Sequence, residues 1–118
     1  MIVLLLNLPY KYEIAVNAIN SALGISNSIE GDSVNSLGAQ YAETSLLGIK
    51  IKIEENSYEY EDDYNYTIFI DNDIFSTVKT TEHNINLVSK VIADLLYRNL
   101  ETSVGIEINQ KLEVYNGQ

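Results

Sequence analysis

The stretch LGIKIKIE, residues 47–54, sets Ile49, Ile51 and Ile53 against Lys50, Lys52 and Glu54. Alternation with a period of two sends the two sets to opposite sides of an extended chain, which predicts a strand with one face buried and one wet. The lysines suit an edge strand, where charge blocks unwanted pairing. Downstream, YTIFI (66–70) is more uniformly apolar, as is IVLLL (2–6), and both read as strands covered on more than one side. At the far end VGIEINQKLEV (104–114) keeps strict parity, with Val104, Ile106, Ile108, Leu112 and Val114 on one side. It reads as one long strand or as a hairpin about Asn109 and Gln110, a poor two-residue turn.

Two helical periods lie between these strands. Ile14, Ala15, Ala18, Ile19, Ala22 and Leu23 recur at helical spacing, with Pro9 near the start and Gly24 past the end. From Glu82 to Leu100 a second stripe comprises Ile85, Val88, Val91, Ile92, Leu95 and Leu96, while Lys90, Asp94 and Arg98 follow at i, i+4 on the outer side. Residues 26–40, rich in Ser, Asn and Gly and without a period, read as a long loop.

The expected order is β-α-β-β-α-β, the split βαβ or ferredoxin-like arrangement, in one α+β domain spanning residues 1–118. In that topology the first and third strands are central and the second and fourth lie at the edges. The apolar and alternating patterns fall in the matching places. Both helices would cover one face of the antiparallel sheet and leave the other for a partner.

The chain has 118 residues, 46% hydrophobic and 20% charged, a length and composition typical of a single globular domain. It has no cysteine, which rules out disulfides, thiol catalysis and thiolate metal sites. The N-terminal apolar run is too short for a signal peptide and no stretch approaches a membrane span, so a cytoplasmic protein is expected, with no membrane partner.

Seventeen acids stand against seven bases, a net charge of −10, and the imbalance is local. Between Lys52 and Lys79 lie eight acids and no base. Such a field repels phosphate backbones and attracts basic surfaces, so a protein partner is expected and nucleic acid is not. The densest part is EENSYEYEDDYNY, residues 54–66, with six carboxylates and four tyrosines. If Glu61, Asp62 and Asp63 form the tip of a hairpin, Tyr60 faces Tyr64 and Tyr58 faces Tyr66, and aromatic pairs offset the repulsion. A solvated connection with its tyrosines packed on the domain's edge is the plain alternative. The candidate partner-binding residues are Glu54, Glu55, Tyr58, Glu59, Tyr60, Glu61, Asp62, Asp63, Tyr64 and Tyr66, tyrosines for contact area and carboxylates for lysines and arginines.

Catalytic signatures are missing. His83, the sole histidine, stands at the expected start of the second helix, where a solvated first-turn residue is the usual outcome. No serine sits in a nucleophile-elbow context. DNDIFSTVKTTE (71–82) matches a calcium loop at positions one, three and twelve. Phe75 at position five has no ligand oxygen and Ser76 replaces the turn glycine, so no calcium is expected there. No cofactor, no metal and no enzymatic activity are expected.

A small, acidic, cysteine-free chain carrying LGIKIKIEENSYEYEDDYNYTIFI resembles bacterial immunity proteins, especially those paired with contact-dependent growth inhibition toxins. The resemblance implies an antitoxin role: binding a cognate toxin domain, commonly a nuclease, as a monomer in a 1:1 complex. Two other readings stand beside it. One is a structural or regulatory subunit that self-associates through its exposed sheet face or edge strands. The other is an enzyme using metal-bound carboxylates.

Overall fold

The computed structural model describes all residues except Asn27, 34–38, 56–62 and Gln118, and leaves aside the side chains of residues 30, 32, 33 and 39. Nine elements follow one another: β1 (Ile2–Leu6), α1 (Tyr12–Leu23), β2 (Ile29–Ser33), β3 (Ala39–Leu46), β4 (Ile49–Glu55), β5 (Tyr66–Asn72), α2 (Glu82–Leu100), β6 (Val104–Ile108) and β7 (Lys111–Tyr115). The strands form a seven-stranded antiparallel sheet in the order β2-β3-β4-β5-β1-β6-β7.

The α+β class holds, with an antiparallel sheet and two helices. The β-α-β-β-α-β order does not, because the chain builds three more strands than that order allows. Part of the expected loop 26–40 is the β2 strand and the start of β3, paired from Ile29 opposite Glu43 to Ser33 opposite Ala39. Among the described side chains of this outlying pair Ala42 is the one in the buried core, and no apolar run in the sequence announces the two strands. Residues 104–114 are a hairpin, β6 and β7, turning at Asn109 (φ 52°) and Gln110 (φ 66°). Both turn residues are left-handed, the geometry that matches strand twist. Neither β4 nor β6 is therefore an edge: β3 covers one and β7 the other. Lys50 and Lys52 are not edge guards. They stand on the sheet face away from the helices, 3.9 Å from Glu43 and 3.6 Å from Glu54.

The main core lies between the sheet and both helices. Ile2, Leu4 and Leu6 of β1, Ile49 and Ile53 of β4, and Tyr66, Ile68 and Ile70 of β5 meet Ala15, Val16 and Ile19 of α1 and Ile85, Ile92 and Leu96 of α2. The helical stripes are rotated from the expected ones. Ile14 and Val91 are exposed, whereas Tyr12, Val16, Ser89 and Ala93 are buried. The buried Ser89 hydroxyl is satisfied by donating to the Ile85 carbonyl at 2.7 Å. Gly24 ends α1 in the left-handed conformation (φ 72°), and Thr81 caps α2 by accepting from the Asn84 N–H at 3.1 Å.

Candidate binding surface

β4 and β5 run from Ile49 opposite Asn72 to Glu55 opposite Tyr66, and the acidic connection joins them at this second end. Glu55 stands opposite Tyr66 in the register, and the expected facing of Tyr58 with Tyr66 and of Tyr60 with Tyr64 falls on residues outside the described ones. Tyr58, Glu59, Tyr60, Glu61 and Asp62 lie outside the described residues. The other five candidates divide into two groups.

Glu54 and Tyr66 belong to the fold. Glu54 is only 5% exposed, facing away from the helices with the Lys52 ammonium 3.6 Å from its carboxylate. That ammonium also stands 4.6 Å over the Tyr41 ring. Tyr66 is 4% exposed in the helix-side core, and its hydroxyl donates to the Tyr10 carbonyl at 2.5 Å. Burial, and then the neighbouring Glu55 charge, raise its pKa above the usual 10.0. Parity explains both outcomes: Tyr66 is in phase with Ile68 and Ile70, and Glu54 is in phase with Lys50 and Lys52.

Glu55 and Asp63 are exposed and flank the connection. Tyr64 is half-buried over β6. A Cβ on Gly105 would sit 3.1 Å from both the Tyr64 ring and the Leu5 Cβ, so glycine at that point admits the ring onto the sheet. Between them Asn65, unremarked in the sequence, clamps the chain that leaves β1. Its side chain accepts from the Leu8 N–H at 2.9 Å and donates to the Leu8 carbonyl at 2.7 Å, while its own N–H donates to the Leu6 carbonyl at 3.0 Å. An asparagine among tyrosines carries no pattern that would have marked it. The result is a firm base: Asn65 and Tyr66 are bound into the body, and Glu55 and Asp63 face solvent beside them.

Among the described residues Lys50, Lys52 and Arg98 have carboxylate partners within the fold. His83 is exposed on the first turn of α2. Asp71 and Asp73 of the calcium-loop match are used locally. Asp71 is 3.9 Å from the chain's amino group, and Asp73 accepts from the Ser45 hydroxyl and the Phe75 N–H, contacts that hold its pKa below 3.8. Among the described residues no group of three or more His, Cys, Asp or Glu is set to hold a metal, and no helix is long and apolar enough to cross a membrane. No protein-family model, curated protein or solved structure matches the chain.

Proposed function

We propose that this chain is a non-enzymatic immunity protein of the antitoxin class, which binds a basic toxin domain of the nuclease kind and occludes its phosphate-binding surface. One observation carries the reading: lysines of the sheet face are matched by internal carboxylates, while the stretch 54–66 holds six acids and no base. The negative surplus therefore concentrates around the β4–β5 connection, flanked by the exposed Glu55 and Asp63. The working set is Glu55, Glu59, Glu61, Asp62 and Asp63, with Tyr58, Tyr60 and Tyr64 as contact residues. Glu54 and Tyr66 support the base. A cytoplasmic location and one partner per chain go with this role.

The test replaces Glu55, Glu59, Glu61, Asp62 and Asp63 together by their amides and measures association with a basic nuclease toxin domain that the parent chain binds. Loss of steering should slow association by about tenfold or more at low salt and flatten its dependence on ionic strength. Unchanged kinetics, with the melting temperature retained, would reject the acidic surface as the site.

A further inference from the structure

β7 (Lys111–Tyr115) is the last strand of the sheet, and among the described residues no strand lies beyond it. The two-residue turn at Asn109 and Gln110 closes on Ile108 opposite Lys111, so Lys111 and, in alternation, Glu113 and Tyr115 direct their backbone groups to β6. The N–H and C=O groups of Leu112 and Val114 therefore point away from the sheet. Such groups are met by water or by another strand. The edge is also held in shape. The Tyr115 hydroxyl donates to Asp94 of α2, the Tyr97 and Tyr115 rings meet edge to face, and a Cβ on Gly117 would stand 2.5 Å from the Tyr97 ring. A strand fixed in this way needs little further ordering to accept a neighbour.

Leu112 and Val114, 47% and 53% exposed, stand on the sheet face away from the helices, and Lys111 and Glu113 stand on the helix side. Among the described residues neither Lys111 nor Glu113 has an ion-pair partner. A lysine alone on an edge guards against pairing. Here Glu113 follows two positions later on the same side, and the guard fails in one arrangement. An antiparallel neighbour must meet the outward groups of Leu112 and Val114 with outward groups of its own, which leaves few registers. For a second copy of β7 about a two-fold axis, centring on Glu113 sets the two Glu113 carboxylates against each other at the closest side-chain approach. Centring on Val114 sets Glu113 against Tyr115 and overlaps fewer residues. Centring on Leu112 lets the two Leu112 residues exchange both backbone bonds, and sets Lys111 of each copy opposite Glu113 of the other. Any other occupant would have to bring an ammonium and a carboxylate two residues apart on that same face, in reversed order. β7 read backwards brings them.

The other charges near the edge do not oppose this register. Asp94 and Arg98 are paired with each other at the Tyr115 end. Glu107, opposite Leu112 on β6, is the hairpin's remaining charge. Three strand spacings of about 4.8 Å put the two Glu107 residues roughly 14 Å apart, nearly two screening lengths at about 8 Å each. The acidic connections lie further off. From β5 of one copy to β5 of the other is seven spacings, roughly 34 Å, and the two-fold axis sends the connections to opposite ends of the joined sheet. We infer that the chain pairs with a second copy edge to edge through β7, Leu112 against Leu112 and Lys111 against Glu113, as a weak two-fold dimer with one continuous sheet. The inference is independent of what binds the acidic end, and each copy retains that surface.

Sedimentation equilibrium of the full chain over roughly 5 to 500 µM, a range suited to a small interface, tests it. The weight-average mass should rise toward twice 13.3 kDa. Lys111→Glu and Glu113→Lys each turn two attractive contacts into repulsive ones, and each should weaken dimerisation by about tenfold or more. Net charge alone would move them in opposite directions, since the first makes the −10 chain more negative and the second less. The double exchange, Lys111→Glu with Glu113→Lys, should dimerise within about threefold of the parent. Both positions are exposed, so all three variants should melt close to the parent. A parent chain that stays monomeric throughout, single reversals that shift dimerisation in opposite directions, or a folded double exchange that fails to restore it would each overturn the inference.

Discussion

Tyr64 and Tyr66 stand two positions apart in one acidic, aromatic stretch, yet only one keeps contact with solvent. Tyr66 is in phase with the buried isoleucines of β5, so its ring enters the core and its hydroxyl must find a partner there, which the Tyr10 carbonyl supplies. Tyr66→Phe keeps the ring and removes the donor. It should cost about 1 kcal/mol, the usual net worth of such a bond, or about 3–6 °C in melting temperature for a domain of this size. Association with a basic partner should not change. Calorimetry on the variant checks the first expectation, and a melting point equal to the parent's would show that the bond contributes nothing. Composition suggested a uniform row of anchors here, whereas period-two phase separates Tyr66 and Glu54 from the rest. That phase was legible in Tyr66, Ile68 and Ile70. The Gly105 gap that seats Tyr64 was not, because it depends on β6 lying beside β1, a contact between residues a hundred positions apart.

Elements with a strong period were legible and weakly patterned ones were not. β1, β4, β5 and both helices follow from their sequences, whereas β2 and β3 carry Ser, Gly, Thr and Glu and are held chiefly by backbone pairing. The edge strand β7 is exposed along most of its length and is tied to α2 at its end. There the Tyr115 hydroxyl donates to Asp94, Arg98 Nε stands 2.9 Å from the same carboxylate, and the Tyr97 and Tyr115 rings meet edge to face at 5.8 Å. The Tyr115 bond first, and Arg98 second, hold the Asp94 pKa below its ordinary 3.8, and the same bond raises Tyr115 above 10.0. A depressed carboxyl stabilises the fold above its ordinary value and loses that contribution as pH falls below 3.8. A raised phenol stabilises below 10.0 and loses it as pH rises further. The tie therefore holds across the range between, and β7 should loosen at both extremes. In an NMR titration, Tyr115→Phe should move the Asp94 midpoint upward toward 3.8. A midpoint that stays put would mean the hydroxyl does not engage that carboxylate in solution.

At the scale of the whole molecule, seventeen acids and seven bases set a conflict between self-repulsion and internal pairing. Lys50–Glu43 and Lys52–Glu54 are longer than hydrogen-bonding distance, and Arg98–Asp94 is an i,i+4 pair on a helix surface. The more exposed pairs, Lys50–Glu43 and Arg98–Asp94, contribute a few tenths of a kcal/mol each, up to about 1. At Lys52–Glu54 the cost of burying the Glu54 carboxylate offsets the attraction. Repulsion among the surplus carboxylates acts on the entire body and is relieved by salt, since the screening length falls from about 30 Å at 0.01 M to about 8 Å at 0.15 M. Repulsion should win. Raising sodium chloride from roughly 0.01 to 0.15 M at neutral pH should therefore increase the melting temperature, and the acidic-connection amide variant should respond less than the parent. The two curves separate stability from binding: salt that strengthens the fold should at the same time slow capture of a basic partner. A melting temperature that falls as salt is added would put the internal pairs in control, and the acidic stretch would then impose no stability cost for a binding role to account for.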